Sequence, residues 1–128
     1  METSTPGARV LVVDDEPDTV EVVVRMLQGR GYEILRAYDG DQALEVARRT
    51  KPNLILLDVM MPEQNGWLVC AKLKAVRPAH SIIIFTVLKH GESDRMADFV
   101  HADDIIHKPF TQDQLLTKVA ATLANESK

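Results

Sequence analysis

Five short runs of branched apolar residues alternate along the chain with segments of helical periodicity, and this alternation most constrains the fold. The runs lie at Val10–Val13, Glu33–Ala37, Leu54–Leu57, Ile82–Phe85 and Ile105–Ile106. Runs that are apolar throughout are typical of strands buried on both faces of a parallel sheet. Alternation with helices predicts right-handed crossovers and helices on both faces of one sheet. We therefore expect an α/β fold, a doubly wound (βα)5 sandwich.

Capping signals and apolar stripes predict five helices between and after these strands. Pro17 marks the start of the first helix, because proline is favoured in a first turn. Asp39 with Gln42 has the spacing of a capping box before the second helix. Thr111 with Gln114 has the same spacing before the fifth helix. The predicted helices run from Pro17 to a point before Gly31, from Asp41 to Thr50, from Trp67 to Val76, within Ser93–Val100, and from Gln112 to Leu123.

Length and composition exclude several classes of protein. A chain of 128 residues is the size of one domain. The net charge of −4 and the absence of a basic patch argue against nucleic-acid binding as the main activity. The single cysteine, Cys70, excludes an intrachain disulfide, and no apolar run approaches the ~20 residues that span a bilayer. Residues 1–9 lack the features of a secretory signal, so we expect a soluble, cytoplasmic domain.

Polar side chains follow the predicted strands, where parallel sheets bind their ligands. The residues in these positions are Asp14, Asp15, Asp58, Thr86 and Lys108. Carboxylates placed together raise one another's pKa, and Mg²⁺, which prefers oxygen ligands, removes that conflict. An aspartate beside such an ion can act as a nucleophile toward a phosphoryl group. Lys108 would neutralise phosphoryl oxygens, and the Thr86 hydroxyl would donate a hydrogen bond to them.

Four segments carry a resemblance to a known family. They are RVLVVDDE at Arg9–Glu16, LILLDVMMP at Leu54–Pro62, Thr86 alone, and KPF at Lys108–Phe110. Together they resemble the receiver domain of two-component response regulators, over about residues 8–124. The resemblance implies a flavodoxin-like fold with a five-stranded parallel sheet of order 2-1-3-4-5. It divides the chain into an N-terminal tail (1–8), a receiver domain (9–124) and a C-terminal tail (125–128).

The resemblance also implies a role for each matched residue. Asp58 corresponds to the aspartate that accepts the phosphoryl group. Asp14 and Asp15 correspond to the acidic pair that holds Mg²⁺ together with Asp58 and the backbone carbonyl of Met60. Thr86 corresponds to the hydroxyl that reports phosphorylation. Lys108 corresponds to the catalytic lysine, and its bond to Pro109 is expected to be cis.

The implied function is a phosphoacceptor signalling switch. A phosphoryl group passes from a phosphohistidine of a histidine kinase or phosphotransfer protein to Asp58. The domain catalyses its own phosphorylation and dephosphorylation but is mainly a switch rather than an enzyme. Its output is expected to be a downstream protein target or the remaining domains of a longer chain, without direct contact to nucleic acid or membrane. A phosphorylation-dependent dimer is left open.

Three positions depart from the usual pattern of the family. Val87 follows Thr86 where a small residue is usual, and its branched side chain either narrows access to Asp58 or points aside. Ile105 stands where the family commonly carries an aromatic switch residue, so the coupling between Thr86 and that position is in doubt. His101 replaces a usual glycine. The surface around the fourth helix is therefore expected to be unusual.

The first helix has more apolar residues than one buried stripe needs. Alignment to the family's inner positions leaves Val20 and Val24 facing outward, one turn apart. Because the family docks its kinase partner on this helix, we expect Val20 and Val24 to contact that partner. Ordinary exposed apolar residues are the alternative interpretation.

Other functions remain as alternatives. A receiver-like binding module with weak or no dependence on phosphorylation keeps the fold. Val87 and Ile105 leave it open, and the intact set of polar site residues argues against it, namely Asp14, Asp15, Asp58, Thr86 and Lys108. A phosphohydrolase of the haloacid-dehalogenase type needs a second aspartate two residues after Asp58, where this chain has Met60. A nucleotide-binding domain needs a phosphate-cradling loop after the first strand, and the acidic Asp14–Glu16 segment would repel phosphate there.

Overall fold

The computed structural model describes residues 7–61, 64–76, 80–87 and 92–126, and it has a five-stranded parallel sheet between layers of helices. The strands of this sheet are β1 (Arg9–Val13), β2 (Glu33–Ala37), β3 (Leu54–Asp58), β4 (Ile82–Thr86) and β5 (Asp104–His107). Their spatial order is β2-β1-β3-β4-β5, with all pairs parallel. This confirms the predicted fold class and order.

Five helices connect and follow the strands. They are α1 (Pro17–Leu27), α2 (Gly40–Thr50), α3 (Gly66–Ala75), α4 (Glu92–Phe99) and α5 (Gln112–Glu126). The capping box before α5 is present, because the Gln114 amide donates to the Thr111 hydroxyl and the Thr111 amide donates to the Gln114 side chain. Asp39 caps α2 through the Gln42 amide. Within the described residues, no helix has the length and apolar character needed to span a membrane.

A short hairpin follows β3 and was not predicted. Met60–Met61 pairs with Gln64–Asn65 as a separate antiparallel ladder. The hairpin returns the chain to Val59, and a Cβ atom on Gly66 would lie 2.3 Å from the Val59 Cα atom. Only glycine therefore fits at the start of α3, and this close approach places the first residue of α3 against Val59, directly after β3.

Two apolar clusters cover the faces of the sheet. One includes side chains of α1 and α5, and the other includes side chains of α2 and α3. All residues of β3 and β4 are buried. Both faces of the central strands are therefore covered, and the polar residues emerge at the strand ends.

The outward orientation predicted for Val20 and Val24 is wrong. Their exposed fractions are 0% and 2%, whereas Val22 is 46% exposed. The buried stripe of α1 is Val20, Val23, Val24 and Leu27, the i, i+3, i+4, i+7 pattern of one helix face. Packing of this stripe on the sheet turns Val22 toward solvent, so Val20 and Val24 do not form a surface for a partner.

Helix α1 ends at Leu27, before Gly31 as predicted, and both Gly29 (φ 86°) and Gly31 (φ 82°) adopt the left-handed backbone. At both ends of the domain, the folded part extends beyond the predicted bounds. The Gly7 amide donates to the Gly31 carbonyl and Ala8 is buried, so both residues join the folded part. Helix α5 reaches Glu126, two residues past the predicted end of the domain.

Candidate functional site

Three carboxylates converge where β1 and β3 end. Asp14 and Asp15 follow β1, and Asp58 is the last residue of β3. Because Val13 pairs with Leu57, the two strand ends lie side by side. One carboxylate oxygen from each aspartate lies within 4.8 Å of the others. Asp14 and Asp58 are buried and Asp15 is half-buried, so this cluster is largely withdrawn from water.

Lys108 completes this group, which we call the acidic edge (Asp14, Asp15, Asp58 and Lys108). The Lys108 ammonium lies 3.2 Å from Asp14 Oδ2 and 3.7 Å from Asp58 Oδ2. The other oxygen of each carboxylate accepts a backbone hydrogen bond. The Glu16 amide donates to Asp14 Oδ1 at 3.0 Å, and the Met60 amide donates to Asp58 Oδ1 at 2.9 Å. These bonds fix both carboxylates with one oxygen toward the lysine.

Burial and charge raise the pKa of two of these carboxyls. Burial is the main cause for Asp58, and the Asp14 carboxylate adds to it, so the pKa of Asp58 rises to about 6. The Met60 amide and Lys108 oppose this rise. The pKa of Asp15 is also raised, first by burial and then by Asp14. Ionising Asp58 and Asp15 beside the Asp14 carboxylate is therefore costly.

The donor set fits a divalent cation of the kind that was predicted. Three carboxylates face one ammonium, which leaves an excess of two negative charges when all are ionised. The candidate ligand atoms are all oxygens, and Mg²⁺ prefers oxygen ligands. The predicted ligands Asp14, Asp15 and Asp58 are thus together. The backbone of Met60 lies beside Asp58, since its amide bonds to that carboxylate.

The backbone between β4 and β5 places Lys108. The Lys108 amide donates to the Thr86 carbonyl at 2.8 Å, directly after the pairing of Thr86 with His107. The bond between Lys108 and Pro109 is cis, as the resemblance implied. The side chain of Thr86 is buried. The predicted hydroxyl and ammonium therefore sit on neighbouring strand ends at the same edge as the carboxylates.

The three positions that depart from the family pattern lie in different surroundings. Val87 is 65% exposed, so its side chain faces solvent. Ile105 pairs with Ile84 and packs, half-buried, against the apolar cluster that includes α2 and α3. His101 adopts a left-handed backbone (φ 63°) after α4, the conformation that explains why glycine is usual there.

One residue that contributes to the site, Phe85, was not predicted from the sequence. The ring of Phe85 lies under the Lys108 ammonium, 4.7 Å from it to the ring centre. Phe85 was assigned only as the end of an apolar run. The available signal was an aromatic residue in an otherwise aliphatic strand, directly before Thr86.

A doubly wound sheet with carboxylates, a hydroxyl and a lysine at its carboxyl edge defines a phosphoacceptor signalling domain. Residues 10–120 match the response regulator receiver domain family, so the chain belongs to that family. The match covers most of the chain and places it among signalling switches. It gives no support to a receiver-like module that works without phosphorylation.

Known relatives agree with this assignment. The chain is 37% identical over 115 residues to the probable transcriptional regulatory protein TcrX of Mycobacterium tuberculosis, covering 89% of this chain and 49% of the relative. It is 37% identical over 116 residues to the alkaline phosphatase synthesis transcriptional regulatory protein PhoP of Bacillus subtilis, covering 90% and 48%. The chain thus spans about half the length of these curated relatives.

A solved structure shares the whole fold. The crystal structure of a CheY-like response regulator receiver domain protein from Methanospirillum hungatei superposes with a TM-score of 0.88 at 26% identity. The superposition covers 94% of this chain and 97% of that one. The similarity therefore extends from end to end of a receiver domain.

Proposed function

We propose that this domain accepts a phosphoryl group on Asp58 and thereby switches a protein-interaction surface. One observation carries the proposal: ligand oxygens of Asp14, Asp15 and Asp58 lie within 4.8 Å of one another, and Lys108 reaches two of these residues. A structural ion pair needs one carboxylate and one ammonium. The additional buried negative charge suits a site that binds a cation and a phosphoryl group.

The reaction is a transfer between two nucleophiles. A carboxylate oxygen of Asp58 attacks the phosphorus of a phosphohistidine on the donor. A new O–P bond forms, the P–N bond breaks, and its electron pair stays on the imidazole nitrogen. The Met60 amide holds the Asp58 carboxylate in place during the attack. Lys108 balances negative charge on the phosphoryl oxygens, and this positioning and charge stabilisation supply most of the catalysis.

Asp14, Asp15, Asp58 and the backbone carbonyl of Met60 would hold Mg²⁺. When bound, the ion supplies positive charge to the carboxylates and to the phosphoryl oxygens. Asp14 has a second role in this arrangement, because its Oδ2 atom also holds the Lys108 ammonium. Asp15 is the most exposed of the three carboxylates and lies on the solvent side of the cluster.

Phosphorylation is proposed to act through Thr86. Its hydroxyl would turn to donate to a phosphoryl oxygen on Asp58, which changes the packing at the ends of β4 and β5. The side chain of Ile105 lies two residues before the end of β5 and offers neither a ring nor a hydroxyl. The response would therefore pass through packing of β4 and β5 rather than through an aromatic rotamer.

The partners follow from the chemistry and the relatives. The phosphodonor is proposed to be a histidine kinase or a phosphotransfer protein in the cytoplasm, where ATP sustains such kinases. The relatives TcrX and PhoP are described as transcriptional regulatory proteins, and this chain spans about half of their length. The output would be a further domain of a longer chain, a separate protein target or a dimer of phosphorylated domains.

The proposal is tested by intact-mass measurement after incubation with Mg²⁺ and phosphoramidate. The wild-type chain is expected to gain one phosphoryl group, and EDTA is expected to prevent the gain. Asp58→Asn should gain none. Asp41→Asn is the matched control, because it makes the same change at an exposed position of α2. An adduct on Asp58→Asn, or none on the wild type with no binding of beryllofluoride, would overturn the proposal.

A further inference from the structure

The position of the Lys108 ammonium requires more support than its ion pairs provide. A lysine side chain has four rotatable bonds, and its charge is a point without fixed direction. The ammonium must stay near Asp14 and Asp58 before transfer and near the phosphoryl oxygens afterwards. The ion pair with Asp58 is long, at 3.7 Å, and the Lys108 side chain is 21% exposed.

An aromatic pair provides that support. The Lys108 ammonium lies 4.7 Å from the centre of the Phe85 ring, within the range of a cation–π contact. Phe85 is 2% exposed and therefore cannot turn away. Phe110 meets Phe85 edge to face, with ring centres 6.3 Å apart and planes at 88°. Because Phe110 comes two residues after Lys108, the same loop supplies the lysine and a brace for the ring beneath it.

We infer that Phe85 is a positioning residue that holds the Lys108 ammonium at the acidic edge through the face of its ring. The inference rests on the proposed phosphoacceptor function and adds a residue to its machinery. The backbone of Phe85 pairs with that of Asp58 across β3 and β4, but in this role its ring acts on the reaction through the lysine alone.

An aromatic ring suits this task better than another carboxylate. A ring face attracts the ammonium without forming a hydrogen bond, so the N–H donors remain available to carboxylate and phosphoryl oxygens. A carboxylate at the same place would occupy those donors and add to the excess negative charge. The ring thus fixes the position of Lys108 while leaving its hydrogen-bonding capacity for the reaction.

Stepwise fluorination of the Phe85 ring in the full chain tests the inference. Added fluorine atoms weaken the negative ring face and change the ring volume little. The rate of phosphorylation by phosphoramidate in saturating Mg²⁺ is expected to fall at each step, by about tenfold for the fully fluorinated ring. The stability to urea should change little. The same series at Tyr32, a half-buried ring that lies directly before β2 at the opposite end of the sheet, is the control and should leave the rate unchanged.

Repeating the Phe85 series in the Lys108→Met protein separates the electrostatic effect of the ring from its packing. In Lys108→Met, which removes the charge but keeps an unbranched side chain, fluorination of Phe85 should leave the residual rate unchanged. A purely structural role for Phe85 predicts the same loss in both backgrounds, with a parallel loss of stability. That result would overturn the inference. An unchanged rate across the Phe85 series, or equal losses at Tyr32, would overturn it as well.

An NMR chemical shift tests the contact between Phe85 and Lys108 independently of phosphorylation. The ε-methylene protons of Lys108 should resonate upfield of those of exposed lysines, because the ring current of Phe85 shields them. The shift should disappear in Phe85→Leu. If the wild type takes no phosphoryl group, the proposed function and this role both fail, even where the upfield shift shows the contact. If phosphorylation occurs but the shift is absent, only the role of Phe85 fails.

Discussion

The two ends of the sheet handle charge in opposite ways. At the amino end, Lys74 donates to Asp103 Oδ2 at 2.6 Å and to the His80 carbonyl at 2.7 Å. The same Asp103 oxygen accepts from the Ile82 amide at 2.7 Å. We call these groups the basal clamp (Lys74, Asp103, the His80 carbonyl and the Ile82 amide). It ties α3 to the starts of β4 and β5 with every charge matched.

The acidic edge at the carboxyl end leaves its charges unmatched. Three carboxylates share one ammonium there, and the pKa of Asp58 is raised to about 6. A matched network contributes to the stability of the fold. An unmatched one costs stability and is relieved by a ligand. The amino end of the sheet therefore contributes stability, and its carboxyl end carries the reactive groups.

The largest expected effect comes from breaking the basal clamp. Asp103→Ala leaves the Lys74 ammonium and the Ile82 amide without this acceptor. We expect a loss of about 2–3 kcal/mol in the free energy of unfolding, measured by urea denaturation. Asp98→Ala, an exposed position of α4, is the control and should change it by less than about 0.5 kcal/mol. A similar small change for Asp103→Ala would contradict the clamp.

At the acidic edge, removing a charge is expected to raise the free energy of unfolding rather than lower it. The pKa of Asp58 is higher in the folded chain than its ordinary value of 3.8, so the folded state binds more protons between pH 4 and pH 6. Ionised Asp58 therefore costs stability above about pH 6. In EDTA at pH 7.5, Asp58→Asn should be more stable than the wild type by about 2 kcal/mol.

This gain should shrink as the pH falls from 6 to 4, because Asp58 then becomes neutral in the wild type too. Urea denaturation of both proteins across that range measures the difference. Asp41→Asn provides the control at an exposed carboxylate. A wild type that is more stable than Asp58→Asn at pH 7.5 in EDTA would mean that the charges at this edge are already balanced.

Magnesium should relieve the same conflict. At ten times its dissociation constant, a ligand that binds only the folded state stabilises it by about 1.4 kcal/mol. Thermal denaturation with and without Mg²⁺ should show this gain for the wild type and a smaller one for Asp15→Asn. Asp18→Asn, in the exposed first turn of α1, should keep the full gain. Equal gains in all three proteins would place the cation elsewhere.

The smallest effect is expected close to the basal clamp. His101 adopts a left-handed backbone (φ 63°), which a residue with a Cβ atom takes at a cost. His101→Gly should raise the free energy of unfolding by about 0.5–1 kcal/mol. His101→Ala keeps the Cβ atom and should bring no such gain. Equal effects of the two substitutions would show that the side chain, and not the backbone, matters there.

Positions set by strand periodicity were predictable from the sequence. A buried strand that runs directly into an aspartate places that aspartate at the carboxyl edge, which is why Asp14 and Asp58 were found. The family resemblance added the roles of Thr86 and Lys108. The rotation of α1 was not predictable, because apolar residues cover more than one of its faces and several inner stripes fit the pattern equally well.

Contacts between residues that lie far apart along the chain were also not predictable from the sequence. Asp103, the partner of Lys74, lies 29 positions away along the chain and meets it only after the sheet forms, so no local pattern predicts the pair. The role of Phe85 was not predictable either, since its ring gains that role only from Lys108, which directly follows the neighbouring strand β5. The two strands of the hairpin, two residues each, are too short to show a period.

One measurement tests the division between the two ends most directly. Asp58→Asn and Asp103→Ala are incubated side by side with Mg²⁺ and phosphoramidate, at a temperature where both are folded, and their intact masses are measured. The account predicts that Asp103→Ala, although less stable, gains one phosphoryl group and that Asp58→Asn, although more stable, gains none. A phosphoryl group on Asp58→Asn, or a folded Asp103→Ala that takes none, would contradict it.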